Sequence, residues 1–284
     1  MKRILILLAA AAALCACSQE KKVMARFVPE RSDDFVFENN LIAGRFYGKA
    51  LEGNPTSPGL DIWVKLPGKL VADEWYKGFL TESDEYYHHD HGGKDCYKVA
   101  VSLGGGASSP LIDGKLCYPA TNYRSWEIVE ESPEKVVFTL HYPQWQTPDS
   151  VMVALDKTVT VVPDTYFCAV EDVYTFEGTD TLAIAAGMNI HAALETVEKQ
   201  LVQPGRVAIW EHASDQTYEP EDGMLGVAVV MPEADGTSLS EDGTHLLVWK
   251  YVTSGQPVRY SFGSCWSKGD VKTAQDWFEL VANR

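Results

Sequence analysis

Positive charge is scarce in this chain: 24 lysines and arginines face 40 aspartates and glutamates, for a formal net charge of −16. With no basic stripe to displace phosphate counterions, nucleic acid is excluded as a partner. A phosphate cradle is also missing. The triple-glycine run Leu103-Gly104-Gly105-Gly106-Ala107 has no following Gly-Lys-Ser/Thr and no helix-forming stretch, so nucleotide is excluded and a strand connection or a flexible cleft rim remains. Cysteine is sparse beyond residue 17. Cys96, Cys117, Cys168 and Cys265 have neither the density of a disulfide scaffold nor the paired spacing of a zinc site; disulfides are allowed, and buried free thiols are favoured. No apolar run is long enough to span a bilayer as a permanent helix.

What is present begins with a leader. Lys2 and Arg3 precede the apolar stretch Ile4 to Leu14, and Leu14-Cys15-Ala16-Cys17 follows, which resembles a bacterial lipoprotein signal. The expectation is a signal peptide over residues 1–16, a lipid on Cys17, a tether over 17–32 and one domain over 33–284. Lipidation at Cys15 would need cleavage after bulky Leu14, and an uncleaved apolar anchor is the plain alternative. No aspartate follows Cys17, which favours the outer membrane, facing the periplasm or the cell surface. The lipid is the only membrane contact expected.

Beyond residue 35, β-branched and aromatic runs separated by turn residues predict an all-β sandwich. Phe35–Glu38 and Leu41–Phe46 flank Asn39-Asn40, which reads as a two-residue hairpin turn. In Leu60-Asp61-Ile62-Trp63-Val64-Lys65, alternation sends Leu60, Ile62 and Val64 to a core and Asp61, Trp63 and Lys65 to a face able to hold a ligand. Further strands are expected at 126–131, 136–142, 151–162, 166–176, 182–191, 224–231, 245–252 and 258–264. Helix is expected only at the end, where Thr273 and Asp276 form a capping pattern ahead of Ala274, Trp277 and Val281 at helical spacing.

The densest polar cluster is Tyr86-Tyr87-His88-His89-Asp90-His91-Gly92-Gly93-Lys94-Asp95. Imidazoles titrate near neutrality, so Tyr87, His88 and His91 are candidate acid/base residues. A divalent metal at His88, Asp90 and His91 is the weaker alternative because no recognised spacing is present; no cofactor is expected. A solvated loop is the plain reading. His191, sharing a strand face with Asn189, is a further catalytic candidate, although a lone strand histidine such as it or His141 is more often structural. Arg45 and Arg124 are candidate carboxylate clamps, with surface ion pairs as their plain alternative. Lys65 joins the candidate binding set, as does Lys268 as a charge neutraliser. Trp63 and Trp266 are expected to stack on sugar, preferred over Trp126, Trp145, Trp210 and Trp249, although most aromatics in a sandwich are core.

Several blocks together are similar to a known family: Glu30-Arg31-Ser32-Asp33-Asp34-Phe35, Glu38-Asn39-Asn40, Arg45-Phe46-Tyr47-Gly48, Asp61-Ile62-Trp63-Val64-Lys65, Tyr87-His88-His89-Asp90-His91-Gly92, and Gly263-Ser264-Cys265-Trp266-Ser267-Lys268 ahead of Asp276-Trp277. They resemble the DUF4861 domain family, over nearly the whole mature chain. The resemblance implies a galactose-mutarotase-like β-supersandwich and an association with bacterial systems that dismantle uronic-acid-containing polysaccharides such as pectin. It hands over no catalytic residues. The expected function is therefore an envelope protein acting on an acidic oligosaccharide by proton abstraction, as a lyase does, with Arg124 and Lys268 neutralising the developing charge. The rival readings are an epimerase or mutarotase with a histidine acid and Glu211 as base, and a glycan-binding lipoprotein without catalysis.

Overall fold

A computed structural model describes residues 21–53, 59–191, 199–212 and 220–284, so Cys17 and the leader lie outside the described residues. The first sheet is antiparallel and runs in chain order through β1 (Val23–Val28), β2 (Asp34–Asn39), β3 (Ala43–Phe46), β4 (Leu60–Lys65) and β5 (Gly93–Asp95), with helix α1 (Ala72–Thr81) between β4 and β5. Strand β1 falls within the stretch expected to be tether. Next come β6 (Ser108–Ile112), β7 (Lys115–Leu116), β8 (Ser125–Ser132), β9 (Lys135–Gln146), β10 (Met152–Val161) and β11 (Phe167–Glu177). They are followed by β12 (Leu182–Asn189), β13 (Lys199–Gln203), β14 (Arg206–His212), β15 (Met224–Val230), β16 (Gly236–Leu239), β17 (His245–Val252), β18 (Pro257–Trp266) and α2 (Ala274–Ala282).

The long strands join in an eight-stranded sheet ordered β13-β14-β15-β18-β11-β10-β9-β8, and β16-β17-β12-β6-β7 form a third sheet. The protein is all-β with a short C-terminal helix, as its patterning predicts. Period-two alternation explains the layering: Phe35, Phe37, Leu60, Ile62 and Val64 point inward and pack with Phe138 and Phe262 in the main core. Helix α2 covers the opposite side of the large sheet through Trp277 and Val281, which pack with Trp210, Ala228 and Cys265. Its start is the expected capping box, with Thr273 and Asp276 satisfying each other's backbone N–H groups. All four described cysteines are buried.

Three details differ from the sequence-based expectation. The first hairpin turns over Asn40 to Ile42, because the Asn39 side-chain oxygen accepts from the backbone N–H of Leu41 (2.7 Å) and Ile42 (2.8 Å). An Asx turn therefore replaces the two-residue turn. The triple-glycine run is buried structure and no cleft rim: a Cβ on Gly105 would lie 2.4 Å from Ile62 Cδ1, and one on Gly106 2.3 Å from Phe262 Cβ. Helix α1 is the third difference. Its Trp75 and Tyr76 pack on Trp63 and Val36, while the Glu38 carboxylate accepts from the backbone N–H of Val71 (2.7 Å) and Ala72 (2.9 Å) at its start. Sequence periodicity missed it because its cap comes from a residue 34 positions upstream.

Candidate functional site

Helix α1 and the turn at residues 86–88 lie over the face of β4 that was expected to hold a ligand. Trp63 is fully buried against Trp75, Tyr76 and Tyr87, so it is a core residue and no sugar platform. Beside it lies Arg45, whose Nε donates to Asp61 and whose second terminal nitrogen donates to Asp95, both at 2.7 Å. Asp34 is 3.5 Å from its remaining nitrogen, and Arg31 pairs with Asp34 from the other side at 3.1 Å. The Arg45 guanidinium also sits over the rings of Tyr87 (5.0 Å), Trp63 (5.2 Å) and Tyr47 (5.4 Å). Three carboxylates thus meet two guanidiniums out of water. Burial pushes the Asp34 carboxyl up, against the pull of both arginines.

The histidine cluster is built into the wall of this hub. Tyr87 is buried, and its hydroxyl accepts from Arg31 Nε at 3.3 Å. His88 is buried with Nδ1 3.1 Å from the Asp95 carbonyl, and burial holds its pKa below the ordinary histidine value. His91 is exposed and stacks on Tyr86 with ring centroids 3.8 Å apart. Gly78 makes room for that Tyr86 ring, since a Cβ there would lie 2.4 Å from it. Asp90 is tied to Lys268 at 2.8 Å; burial alone would raise its pKa, but the lysine and the N–H groups of Gly92 and Gly93 hold it below the ordinary carboxylate value. The three side chains weighed as metal ligands therefore face three different partners.

The other expected binding residues scatter. Lys65 is buried, reaching Glu38 and the Asn39 carbonyl (2.8 Å). Arg124 forms an ion pair with Glu52 on another part of the surface. Trp266 is 2 % exposed and donates through Nε1 to the Asp222 carbonyl at 2.6 Å, while Lys268 Nζ lies 4.7 Å above its ring. The plain readings of Arg124, as a surface ion pair, and of Trp266, as core, are the ones the structure shows, whereas Arg45 is ion-paired but buried, neither clamp nor surface pair.

His191 is different. It follows β12, and its Nδ1 is 2.8 Å from Glu211 Oε1 while its Nε2 is 2.8 Å from the Lys98 carbonyl. Nδ1 thus faces a carboxylate acceptor, while Nε2 faces both the Lys98 carbonyl and, at 3.1 Å, the donor amide nitrogen of Asn189, so its role follows the tautomer. Alternation along β14 explains how Glu211 arrives there: Trp210 goes under α2, and Glu211 takes the opposite face, in register with Leu225 and Trp266. Asn189 shares the face expected for it and donates to the same Lys98 carbonyl at 3.3 Å. Tyr97 sets its ring edge-on to His191, 4.4 Å between centroids, and its hydroxyl donates to the Asn189 carbonyl at 2.6 Å. Burial, assisted by the Glu211 charge, pushes the Tyr97 phenol far above its ordinary value, so it stays protonated. Among the described residues, Glu211 Oε2 and Asn189 Oδ1 are buried without a hydrogen bond. Tyr97 and Lys98 were not anticipated; the only signal was their position just past Asp95 in an unassigned stretch.

The DUF4861 family model, described as a domain of unknown function, matches residues 11–284. The chain belongs to the DUF4861 family. A curated relative, "Uncharacterized protein P7" of Formosa agariphila, is 29% identical over 274 residues, which cover 90% of this chain and 65% of that protein. The DUF4861 chain thus spans just under two thirds of that relative's length. Among solved structures it is similar to heparinase III (TM-score 0.38, 10% identity, 90% of this chain and 37% of that one). It is also similar to a 4-alpha-glucanotransferase from Thermococcus litoralis (TM-score 0.37, 8% identity, 86% and 40%). A galactose mutarotase related enzyme from Lactobacillus acidophilus matches with TM-score 0.31 and 8% identity, over 81% of this chain and 97% of that one.

Proposed function

We propose that this DUF4861 protein acts on uronic-acid-containing oligosaccharides by proton exchange at His191 and Glu211, as a lyase. The observation that carries the reading is the imidazole hydrogen-bonded to a carboxylate through Nδ1 and Oε1, with the second carboxylate oxygen lacking a hydrogen bond among the described residues. In elimination, Glu211 takes the proton α to the uronate carboxyl, the electron pair forms the carbon–carbon double bond, and the bond to the leaving oxygen breaks. His191 gives that oxygen its proton. Glu211 then gives its proton to solvent water and His191 takes one from solvent at Nε2, which resets the pair. Lys98 is exposed and meets His191 through its backbone carbonyl, and in this reading its ammonium offsets the uronate charge. The lipid expected on Cys17 would hold the domain at the envelope, where such oligosaccharides arrive.

The test is turnover on a panel of acidic glycans, followed by near-ultraviolet absorbance for the unsaturated product and by polarimetry for anomeric or epimeric change. His191→Ala and Glu211→Gln are each expected to lower the ultraviolet signal by roughly 10²- to 10⁴-fold. A polarimetric change without an ultraviolet product would move the assignment to the mutarotase reading. Silence in both signals across the panel would overturn catalysis at this pair.

A further inference from the structure

The eight tryptophans are unequally covered. Six are buried, Trp249 is half-buried, and Trp126 is 41 % exposed. Trp126 lies on β8, the edge of the eight-stranded sheet, and stacks on Phe27 of β1, the edge of the first sheet (5.7 Å, 25° between planes). Along this seam runs a groove of about 660 Å³, floored by Trp126, Phe27, Met24 and Ile128. Its rim carries two ion pairs, Arg26 with Asp73 (2.8 Å) and Lys21 with Glu131 (2.7 Å).

We infer that this groove is a binding site for an uncharged pyranose of a glycan chain, separate from His191 and Glu211. An indole held flat by a second ring offers a fixed apolar platform to the C–H face of a sugar. The rim offers donors and acceptors to its hydroxyls, and the lining acids Glu38, Asp73 and Glu131 outnumber the cations Lys21 and Arg26, which disfavours a uronate and leaves a neutral polyol as the better occupant. Strand addition by another protein is disfavoured, because Glu127, Glu130 and Glu131 line the edge strand that such a partner would have to join. In sheet order, β8 lies six strands from the β14 strand that carries Glu211. At the usual strand spacing this is about 29 Å along the sheet. The groove therefore holds a part of the glycan distant from any sugar at the histidine.

Binding can be measured without turnover, so this inference and the catalytic proposal fail separately. Cello-, xylo- and mannohexaose, with polygalacturonate as the anionic counterpart, are titrated against acrylamide quenching of intrinsic fluorescence, to which exposed Trp126 contributes most. At least one neutral hexaose is expected to protect it. Trp126→Ala should weaken that binding by about tenfold, near the upper range of a single aromatic contact, while Trp126→Phe retains most of it. An unchanged thermal midpoint in both variants guards against misfolding. The inference is overturned if no neutral hexaose protects the indole, if only polygalacturonate does, or if Trp126→Ala binds as the parent does.

Discussion

The Arg45 hub and the His191–Glu211 pair are built from the same kinds of residue, yet one is closed and the other is not. Around Arg45, the charges sit beneath helix α1, fixed by one another and by three aromatic rings. At His191, an imidazole that keeps 22 % of its side-chain surface meets a carboxylate with one buried oxygen uncommitted among the described residues. Density of polar residues is thus a poor guide to chemistry. Each leaves buried atoms without a hydrogen bond among the described residues, Arg45 Nη1 and Asp61 Oδ1 in the hub and Glu211 Oε2 in the pair; what separates them is exposure, because the hub lies beneath the helix whereas His191 reaches the surface.

Substitutions can sharpen or break that contrast. The largest effect is expected at the open pair, where His191→Ala lowers turnover by the roughly 10²- to 10⁴-fold given to acid/base groups while urea unfolding moves little. Arg45→Met should do the reverse: it takes the guanidinium away from Asp61 and Asp95 in a buried site, for a loss of about 3–5 kcal/mol in the same unfolding assay. Equal destabilisation by both variants would abolish the distinction.

A third site between these extremes responds to pH. His245 pairs with Asn189 across β12 and β17, and burial lowers its pKa to about 4, against a small opposing pull from Asp242. The folded state therefore binds this proton less readily than the unfolded chain does. Stability from this group is complete above the ordinary histidine value, near pH 6.5, and is lost as pH falls from there towards 4. The expected loss is on the order of 3 kcal/mol. Thermal midpoints over that window should fall in the parent and stay flatter in His245→Asn. The smallest effect is expected for Lys268→Met, since the Asp90 pair is partly exposed: under about 1 kcal/mol, and diminished further by salt. A larger loss would make the Asp90 loop part of the hub.

Much of the fold was legible. Alternation in Leu60–Lys65 gave the correct split of its side chains, and Thr273 with Asp276 gave the start of α2, because both signals are local. The outer occupant of β4 was not legible, because what covers Trp63 is a helix capped by Glu38 from a distant strand. For the same reason, Trp63 and Trp266 looked like platforms on the strength of their polar neighbours, while the exposed ring is Trp126. Glu211 and His191 are 20 positions apart and surrounded by ordinary strand sequence, and they lie on, or just past, strands of two different sheets, so only the approach of β12's end to β14, and of Lys98 from the stretch after β5, brings them to one place. Local patterning reports which face a side chain takes. It does not report what is laid upon that face.

The four buried cysteines among the described residues supply a clock for how this architecture comes apart. Burial pushes the thiols of Cys117, Cys168 and Cys265 up, so they are protonated as well as shielded, and an alkylating reagent reaches them only when the surrounding structure opens. They lie in different layers: Cys96 and Cys168 in the main core, Cys265 under α2, Cys117 just after β7. Their labelling rates, resolved by mass, would order the opening of α2, the small hairpin and the central core within one unmodified sequence.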